Sequence, residues 1–315
     1  VLWESCVTIN HDSWGYNKYE TEFKTDRDLI RMLVEVVSKG GNLLLNVGPT
    51  PDGRIQPEFQ TRLAAMGRWL ATNGEAIYGT TASPFQRLPF FGRATTKNNE
   101  LFLHVFGWPS NGVLRVPGLK NPVFSARLLG SDAKVTYKKD GDDLLVQLPA
   151  VAPDEIASVV ALKLDSTPVV VDSPIRPDTR TGVLTLGVES CEIETRFEQR
   201  AKKENALGHV FLTRWTRNDD VPTWKFAAPA AGRYRVQLFY GRSGRADADL
   251  GQYTIEAGPQ KVSGKIQGTG GDWVFKGFAA GEIAIPAGEQ TLKVSTNVKG
   301  AEAMQLEKIV LTPVR

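Results

Sequence analysis

The sequence predicts a multidomain protein of α/β plus all-β class: a partial (β/α)8 barrel followed by two antiparallel β-sandwich domains. Three observations predict it. Over residues 1–82, apolar residues alternate between strand-like runs and the helical period, in the order strand, helix, strand, helix. From Phe85 onward the helical period is lost, and short β-prone runs separated by turn residues replace it. A stretch holding Pro168, Pro174 and Pro177 then divides the β-rich remainder. A chain of 315 residues has room for two or three domains. They are placed at 1–82, 83–166 and 182–315, with 167–181 as a linker.

Ser5 to Ile9 is the first β-prone run. Thr25 is the expected N-cap of the first helix, with Asp28 three residues on as its capping-box acid. Leu29, Ile30, Leu33, Val34 and Val37 follow at helical spacing. Gly40-Gly41 ends the helix, because glycine accepts the left-handed conformation of a helix C-terminus. Leu43 to Val47 is almost continuously apolar and reads as a strand buried on both faces of a parallel sheet. Pro49 to Gly53 is a loop. Pro57 opens the second helix at its first position, with Phe59, Leu63, Met66 and Leu70 as the buried stripe and Asn73-Gly74 as its close. Two βα units are about a quarter of an eight-unit barrel and cannot close one.

Strands are expected in the next region at Leu101–Phe106, Val113–Val116, Ala126–Leu129, Lys134–Lys138, Leu144–Leu148 and Val159–Leu164. Turn signals such as Pro109-Ser110-Asn111-Gly112 and Asp140-Gly141-Asp142 separate them, which is the spacing of a small antiparallel sandwich. In the last region Gly232–Tyr240 alternates with period two, as do Tyr253–Glu256, Glu282–Ile285, Thr291–Ser295 and Leu306–Leu311. The same Pro-Ala-Gly turn chemistry precedes two of these runs, at Pro229–Gly232 and Pro286–Gly288. A jelly-roll or galactose-binding-like sandwich fits this pattern.

Hydrophobic residues make up 41% and charged residues 23%, which points to packed domains rather than disorder. The net charge of +3 is spread without a basic block, so nucleic acid and anionic membrane are poor partners. No apolar run approaches the ~20 residues of a membrane span. Cys6 and Cys191 are the two cysteines and read as free thiols. With three histidines, no Cys/His zinc spacing exists and no metal is expected. Asp247, Asp249 and Glu256 offer oxygen ligands for calcium, but they fit no EF-hand spacing and read first as a solvated loop. Gly264, Gly268, Gly270 and Gly271 lie at no strand-to-helix junction, which argues against a phosphate cradle.

In a (β/α)8 barrel the site residues project from the carboxyl ends of strands and the loops after them. Glu4 adjoins the first strand, and His11, Asp12, Trp14 and Tyr16 occupy the loop that follows. A carboxylate, a histidine and aromatic rings suit a sugar site. By local pattern alone, Glu4 reads first as a surface acid and His11 and Asp12 first as loop hydrogen-bonders, while Trp14 and Tyr16 read equally as core. In the last region Trp215, Trp224, Tyr240 and Trp273 are candidates for a sugar-stacking platform, with Trp273 in its Gly-rich loop the best placed.

An ordered motif set narrows these choices. Trp3-Glu4-Ser5-Cys6, Ser13-Trp14-Gly15-Tyr16-Asn17, Gly40-Gly41-Asn42-Leu43-Leu44-Leu45-Asn46-Val47-Gly48-Pro49-Thr50 and Asn73-Gly74-Glu75-Ala76-Ile77-Tyr78-Gly79 together resemble the last quarter of a glycoside hydrolase family 29 catalytic domain, the α-L-fucosidases. The run from Trp224 to Tyr240 resembles the carbohydrate-binding modules appended to glycosidases. The first resemblance implies a retaining enzyme that removes terminal α-L-fucose from glycans without a cofactor. It implies that Trp14 lines the fucose pocket, with His11 and Tyr16 beside it. Glu4 matches a glutamate near the mouth of the site, a candidate for catalysis. The nucleophilic aspartate belongs to an earlier strand that nothing here matches, so this chain alone is expected to be incomplete and inactive. Fucosylated glycans and a missing N-terminal barrel segment are the implied partners, and a secreted or periplasmic location is the implied setting. The alternative is a non-catalytic glycan-binding protein that works through residues 182–315.

Overall fold

A computed structural model describes residues 3–11, 13–178, 180–196, 199–245, 248–298 and 301–314. Asp12 and Asp247, named above, lie outside the described residues. The chain divides into two compact units. The first holds Val1–Leu88 with Gly92–Asp172, and the second holds Pro89–Phe91 with Ser173–Arg315.

The first unit opens with β1 (Glu4–Thr8), α1 (Asp26–Ser38), β2 (Asn42–Asn46) and α2 (Pro57–Asn73). β1 and β2 pair in parallel, with Glu4 opposite Asn42 and Thr8 opposite Asn46. The start of α1 follows its local chemistry: Asp28 N–H donates to Thr25 Oγ1 at 3.1 Å, and Thr25 N–H donates to Asp28 Oδ2 at 3.0 Å. These two bonds satisfy two of the donors that a helix start leaves open. At its other end Gly40 takes φ +77°, the left-handed turn that stops the helix.

Two expectations change here. β2 is not buried on both faces: Leu44 is 50% exposed, because β1 and β2 form a two-stranded sheet and no described element covers that side. The buried stripe of α2 is Phe59, Ala65, Met66 and Trp69 rather than the one through Leu63 and Leu70. Leu63 points to solvent, while Trp69 Nε1 donates to Ala157 O at 2.9 Å. The docking partner of the helix, not its apolar count, selects the face.

The rest of the unit is antiparallel. It contains β3 (Gly92–Lys97), β4 (Glu100–Val105), β5 (Val113–Val116), β6 (Val123–Leu128), β7 (Thr136–Asp140), β8 (Asp143–Gln147) and β9 (Ser158–Leu164). These form a four-stranded sheet, β3-β4-β9-β6, and a three-stranded sheet, β5-β8-β7. Leu101, Phe102, Leu103, Val159, Val160 and Leu162 are buried along β4 and β9. The helices are tied to this part of the unit through backbone carbonyls. Arg31 on α1 donates to Ile156 O (3.0 Å) and Phe106 O (2.8 Å). Arg127 on β6 holds Glu75, just after α2, with both carboxylate oxygens (2.6 and 2.9 Å). His104 is fully buried on β4 with Thr95 Oγ1 at 3.0 Å from Nε2, and burial pushes its pKa down to about 3.

The second unit contains β10 (Leu184–Gly187), β11 (Glu192–Glu194), β12 (Lys202–Ala206), β13 (His209–Thr213), β14 (Val221–Ala228), β15 (Gly232–Arg242), β16 (Gln252–Ala257), β17 (Gln260–Lys265), β18 (Gly271–Ile285), β19 (Gly288–Asn297) and β20 (Gln305–Pro313). One sheet runs β12-β13-β20-β15-β18, with β10 also on β20; the other runs β11-β14-β19-β16-β17. Period-two alternation sends Tyr234, Val236, Leu238 and Tyr240 of the first sheet and Ile255, Leu292 and Val294 of the second into one shared core. The segment around the unit boundary is itself hydrogen-bonded. Val171 N–H donates to Gly118 O in the first unit, and Ile175 pairs with Phe226 in the second.

Candidate functional site

The loop after β1 is positioned by the end of β2. Asn46 closes β2, and its Nδ2 donates to Trp14 O at 2.6 Å. Two residues on, Gly48 lies so close to the loop that a Cβ there would sit 2.5 Å from Gly15 C and 2.8 Å from Tyr16 N. Within the loop Ser13 Oγ donates to Gly15 O at 2.8 Å. The outcome is a short aromatic shelf at the carboxyl ends of two parallel strands. Trp14 is 59% exposed, Tyr16 is also exposed, and His11 lies at the surface nearby in the chain. Exposed indole and phenol rings held by backbone bonds are available to a ligand rather than to the core.

Glu4 does not join this shelf. It begins β1 at the opposite end of the parallel pair, about 13 Å along the strand from Thr8 at about 3.3 Å per residue. Its Oε1 accepts from Cys6 Sγ at 3.6 Å on the same strand face. Partial desolvation, then the hydrogen bond to Glu4 and its charge, raise the Cys6 thiol pKa. Trp3, the partner of Glu4 in the motif, lies over Gly41: a Cβ there would fall 2.5 Å from the indole, whose Nε1 donates to Lys39 O at 3.2 Å. The Gly-Gly-Asn stretch therefore seats Trp3 at one end of β2, while Asn46 and Gly48 seat the aromatic loop at the other. Sequence reasoning had not singled out Asn46 and Gly48 as positioning groups. Their signal was present in the motif, as an amide and a glycine flanking the end of an apolar strand.

The second unit separates its four aromatic candidates. Trp215, Trp224 and Tyr240 are buried, and each has a partner inside: Trp215 Nε1 donates to Asp220 O (2.7 Å), Trp224 Nε1 donates to Gly187 O (2.8 Å), and Gln267 N–H donates to the Tyr240 hydroxyl (2.9 Å). Trp273 alone of the four is open, at 46% exposure. Both cysteines are free thiols, Cys6 exposed and Cys191 buried. Among the described residues no three His, Cys, Asp or Glu side chains come together as a metal site, and Asp249 accepts from Gly251 N–H within its own loop.

A βαβα segment with an aromatic shelf at its carboxyl strand ends, continued by antiparallel sheets, defines the class: an α/β element with all-β units appended. Residues 1–75 match the family model for α-L-fucosidase, so this segment is similar to the α-L-fucosidases, as the motifs read from the sequence suggest. The α-L-fucosidase of Branchiostoma floridae is 38% identical over 161 residues, covering 49% of this chain and 36% of that protein. Human tissue α-L-fucosidase is 36% identical over 177 residues, covering 52% of this chain and 37% of that protein. The chain thus spans little more than a third of the length of these curated relatives. The crystal structure of an α-L-fucosidase from Vibrio sp. strain EJY3 superposes on 99% of this chain and 55% of its own, with a TM-score of 0.63 at 24% identity, a likeness of fold. No helix among the described residues is long and apolar enough to cross a membrane.

Proposed function

We propose that this chain is the carboxyl-terminal part of a retaining α-L-fucosidase that hydrolyses terminal α-L-fucose from glycans. The observation that carries the reading is the shelf of Trp14 and Tyr16, clamped by Asn46 at the carboxyl ends of parallel strands, inside the segment that matches the fucosidase model. In this reading Trp14 walls the fucose pocket with Tyr16 and His11, offering a flat apolar face to the sugar and its C6 methyl. Retention needs two carboxyl groups ~5–5.5 Å apart. Glu4, at the far end of β1, is a poor member of such a pair, so the nucleophile and the groups that hold the sugar hydroxyls are assigned to strands upstream. The open edges of β1 and β2 and the bare Leu44 are where those strands would join. Residues 1–82 then form the last barrel units, 83–166 a small sandwich against them, 167–181 a linker, and 182–315 a carbohydrate-binding-like sandwich. The setting is secreted or periplasmic, and no cofactor takes part.

The test is hydrolysis of an aryl α-L-fucoside by this chain alone and by the chain joined to the polypeptide encoded upstream of it. Turnover only in the second arm is expected. Turnover by this chain alone would overturn the assignment of the nucleophile. No turnover in either arm would overturn the fucosidase reading. One observation favours a second reading, a glycan-binding protein that works through the second unit: Trp273 is left open where its three aromatic counterparts are buried.

A further inference from the structure

The ladder between β15 and β18 shifts register at two places, by one residue between Val236 and Gln237 and by more between Tyr240 and Arg242. Tyr240 pairs with Lys276 and Arg242 with Gly271, so Gly241 faces the four residues Asp272-Trp273-Val274-Phe275. The larger shift, beside Gly241, re-aims the side chains it carries. The excursion is pinned at several points. Ser243 N–H donates to Asp272 Oδ1 at 3.1 Å, and Trp273 N–H donates to Gln305 Oε1 at 3.0 Å. It passes so close over β15 that a Cβ on Gly241 would meet Gln305 Oε1 at 3.1 Å and Trp273 N at 3.5 Å.

The excursion reaches across to β13 and β20. Phe275 stacks on His209 (centroids 4.4 Å apart, planes at 20°), and Trp273 stands edge-on to Phe211 (5.0 Å, 88°). Phe211 is fully buried yet lies outside the core shared by the two sheets, so its cover comes from this outer face. Phe275 already lies against it at 5.4 Å. Trp273, however, is held at φ +68°, a conformation that a bulky side chain rarely adopts, with nearly half its surface open. Val274 beside it is also exposed. Strain of this sort persists where the surroundings enforce it, and it concentrates at ligand sites.

Polar groups flank the rings. His209 Nδ1 lies 2.9 Å from Glu307 Oε1, which also has Lys308 Nζ at 3.5 Å. The Glu307 contact and the Phe275 stack fix the imidazole, leaving Nε2 as its second hydrogen-bonding atom. The bare area is one indole and one valine. That is far below the roughly 800 Å² per partner of a stable protein interface, and it matches the face of one sugar ring.

We propose that Trp273, with the fixed His209–Glu307 pair beside it, forms a binding subsite for a single pyranose unit of a glycan: the indole stacks on the C–H face while the imidazole and carboxylate bond ring hydroxyls. The site rests on the glycan-binding reading of the second unit and is independent of hydrolysis by the first. The test follows the indole N–H signals of the full chain by NMR during titration with methyl α-L-fucoside and methyl β-D-galactoside. The signal lost in Trp273→Ala should shift saturably with at least one sugar at millimolar concentration, and that variant should weaken binding at least about 10-fold. Glu307→Gln should weaken it less. Trp273→Gly, whose backbone suits the positive φ, serves if Trp273→Ala does not fold. Binding that survives loss of the indole would place the sugar elsewhere and overturn this site alone. No saturable shift with either sugar would overturn the site together with the glycan-binding reading. Self-association that disappears in Trp273→Ala would show a second copy to be the occupant and would likewise overturn the proposal.

Discussion

Asn46 and Trp14 stand 32 residues apart and meet through one bond, Asn46 Nδ2 to Trp14 O at 2.6 Å. Strand end and aromatic loop are thus held by a side-chain amide rather than by a ladder. Asn46→Ala should cost about 1 kcal/mol, the usual net worth of such a bond, and should raise amide exchange across residues 13–17. Asn46→Asp should be worse at neutral pH, because a carboxylate would face the Trp14 carbonyl. Thermal melts and hydrogen exchange check both.

Gly48 tests the same seam by bulk. Gly48→Ala sets a methyl 2.5 Å from the Gly15 backbone, and it should destabilise the unit by about 1–3 kcal/mol as an overpacked contact does. Gly67→Ala is the contrast. Gly67 lies exposed in α2 with nothing within 4 Å of its Cβ position, and there the change should stabilise by roughly 0.5–1 kcal/mol. Denaturant midpoints compare the two; equal effects would count against the close packing described.

Two desolvated groups, Glu189 and His104, should give the units opposite pH dependence. Glu189 folds its carboxyl back over Gly187. Desolvation first, and then Glu307, outweigh the attraction of Lys203 and Lys308 and raise its pKa from 4.5 to about 7. The unfolded chain then holds fewer protons at this site than the folded one between pH 4.5 and 7, so stability falls as pH rises through that window. The loss is about 3 kcal/mol at most. Glu189→Gln should flatten the slope of the second unit between pH 4.5 and 7.

His104 works the other way. Burial lowers its pKa from 6.5 to about 3, against a weaker opposing effect of the Ala76 backbone. Below pH 6.5 the unfolded chain takes up a proton that the folded chain refuses. Stability present above pH 6.5 is therefore lost as pH falls toward 3, by a few kcal/mol at most. Replacing His104 with Phe should remove that acid slope from the first unit, although it lowers stability near pH 7 by giving up the Thr95 bond.

Leu207 is the exposed residue whose backbone most favours replacement. Ala206 pairs with His209, so Leu207-Gly208 forms the two-residue turn between β12 and β13, with φ values of +51° and +81°. Both central positions of a type I′ hairpin need positive φ, which asparagine tolerates and leucine does not. Leu207 is also 79% exposed. Leu207→Asn should raise stability by about 1 kcal/mol, read as a higher denaturant midpoint at unchanged slope.

What could be read from the sequence was local. The Thr25–Asp28 box, the Gly40 stop and the Pro57 start follow from residues within one helical turn of one another. The face of α2 did not, because Trp69 is chosen over Leu63 by the Ala157 carbonyl, 88 residues away in the chain. Strand β18 was expected only over its last four residues. Gly271, Gly277 and Gly281 and the excursion before Lys276 hide a 15-residue strand from any period-two count. Among the aromatic candidates the Gly-rich loop set Trp273 apart, whereas the burial of Trp215 and Trp224 follows from sheet packing that no local signal carries.

The fastening of α1 and α2 through Arg31, Trp69 and Glu75 gives the first unit a sealed side and an adhesive side. On the adhesive side β1 and β2 each present a row of backbone donors and acceptors with no strand alongside among the described residues. Such edges accept whichever extended segment arrives first. In dilute solution they are hydrated. At high protein concentration the nearest segment belongs to another molecule, so colloidal behaviour is set by one exposed seam.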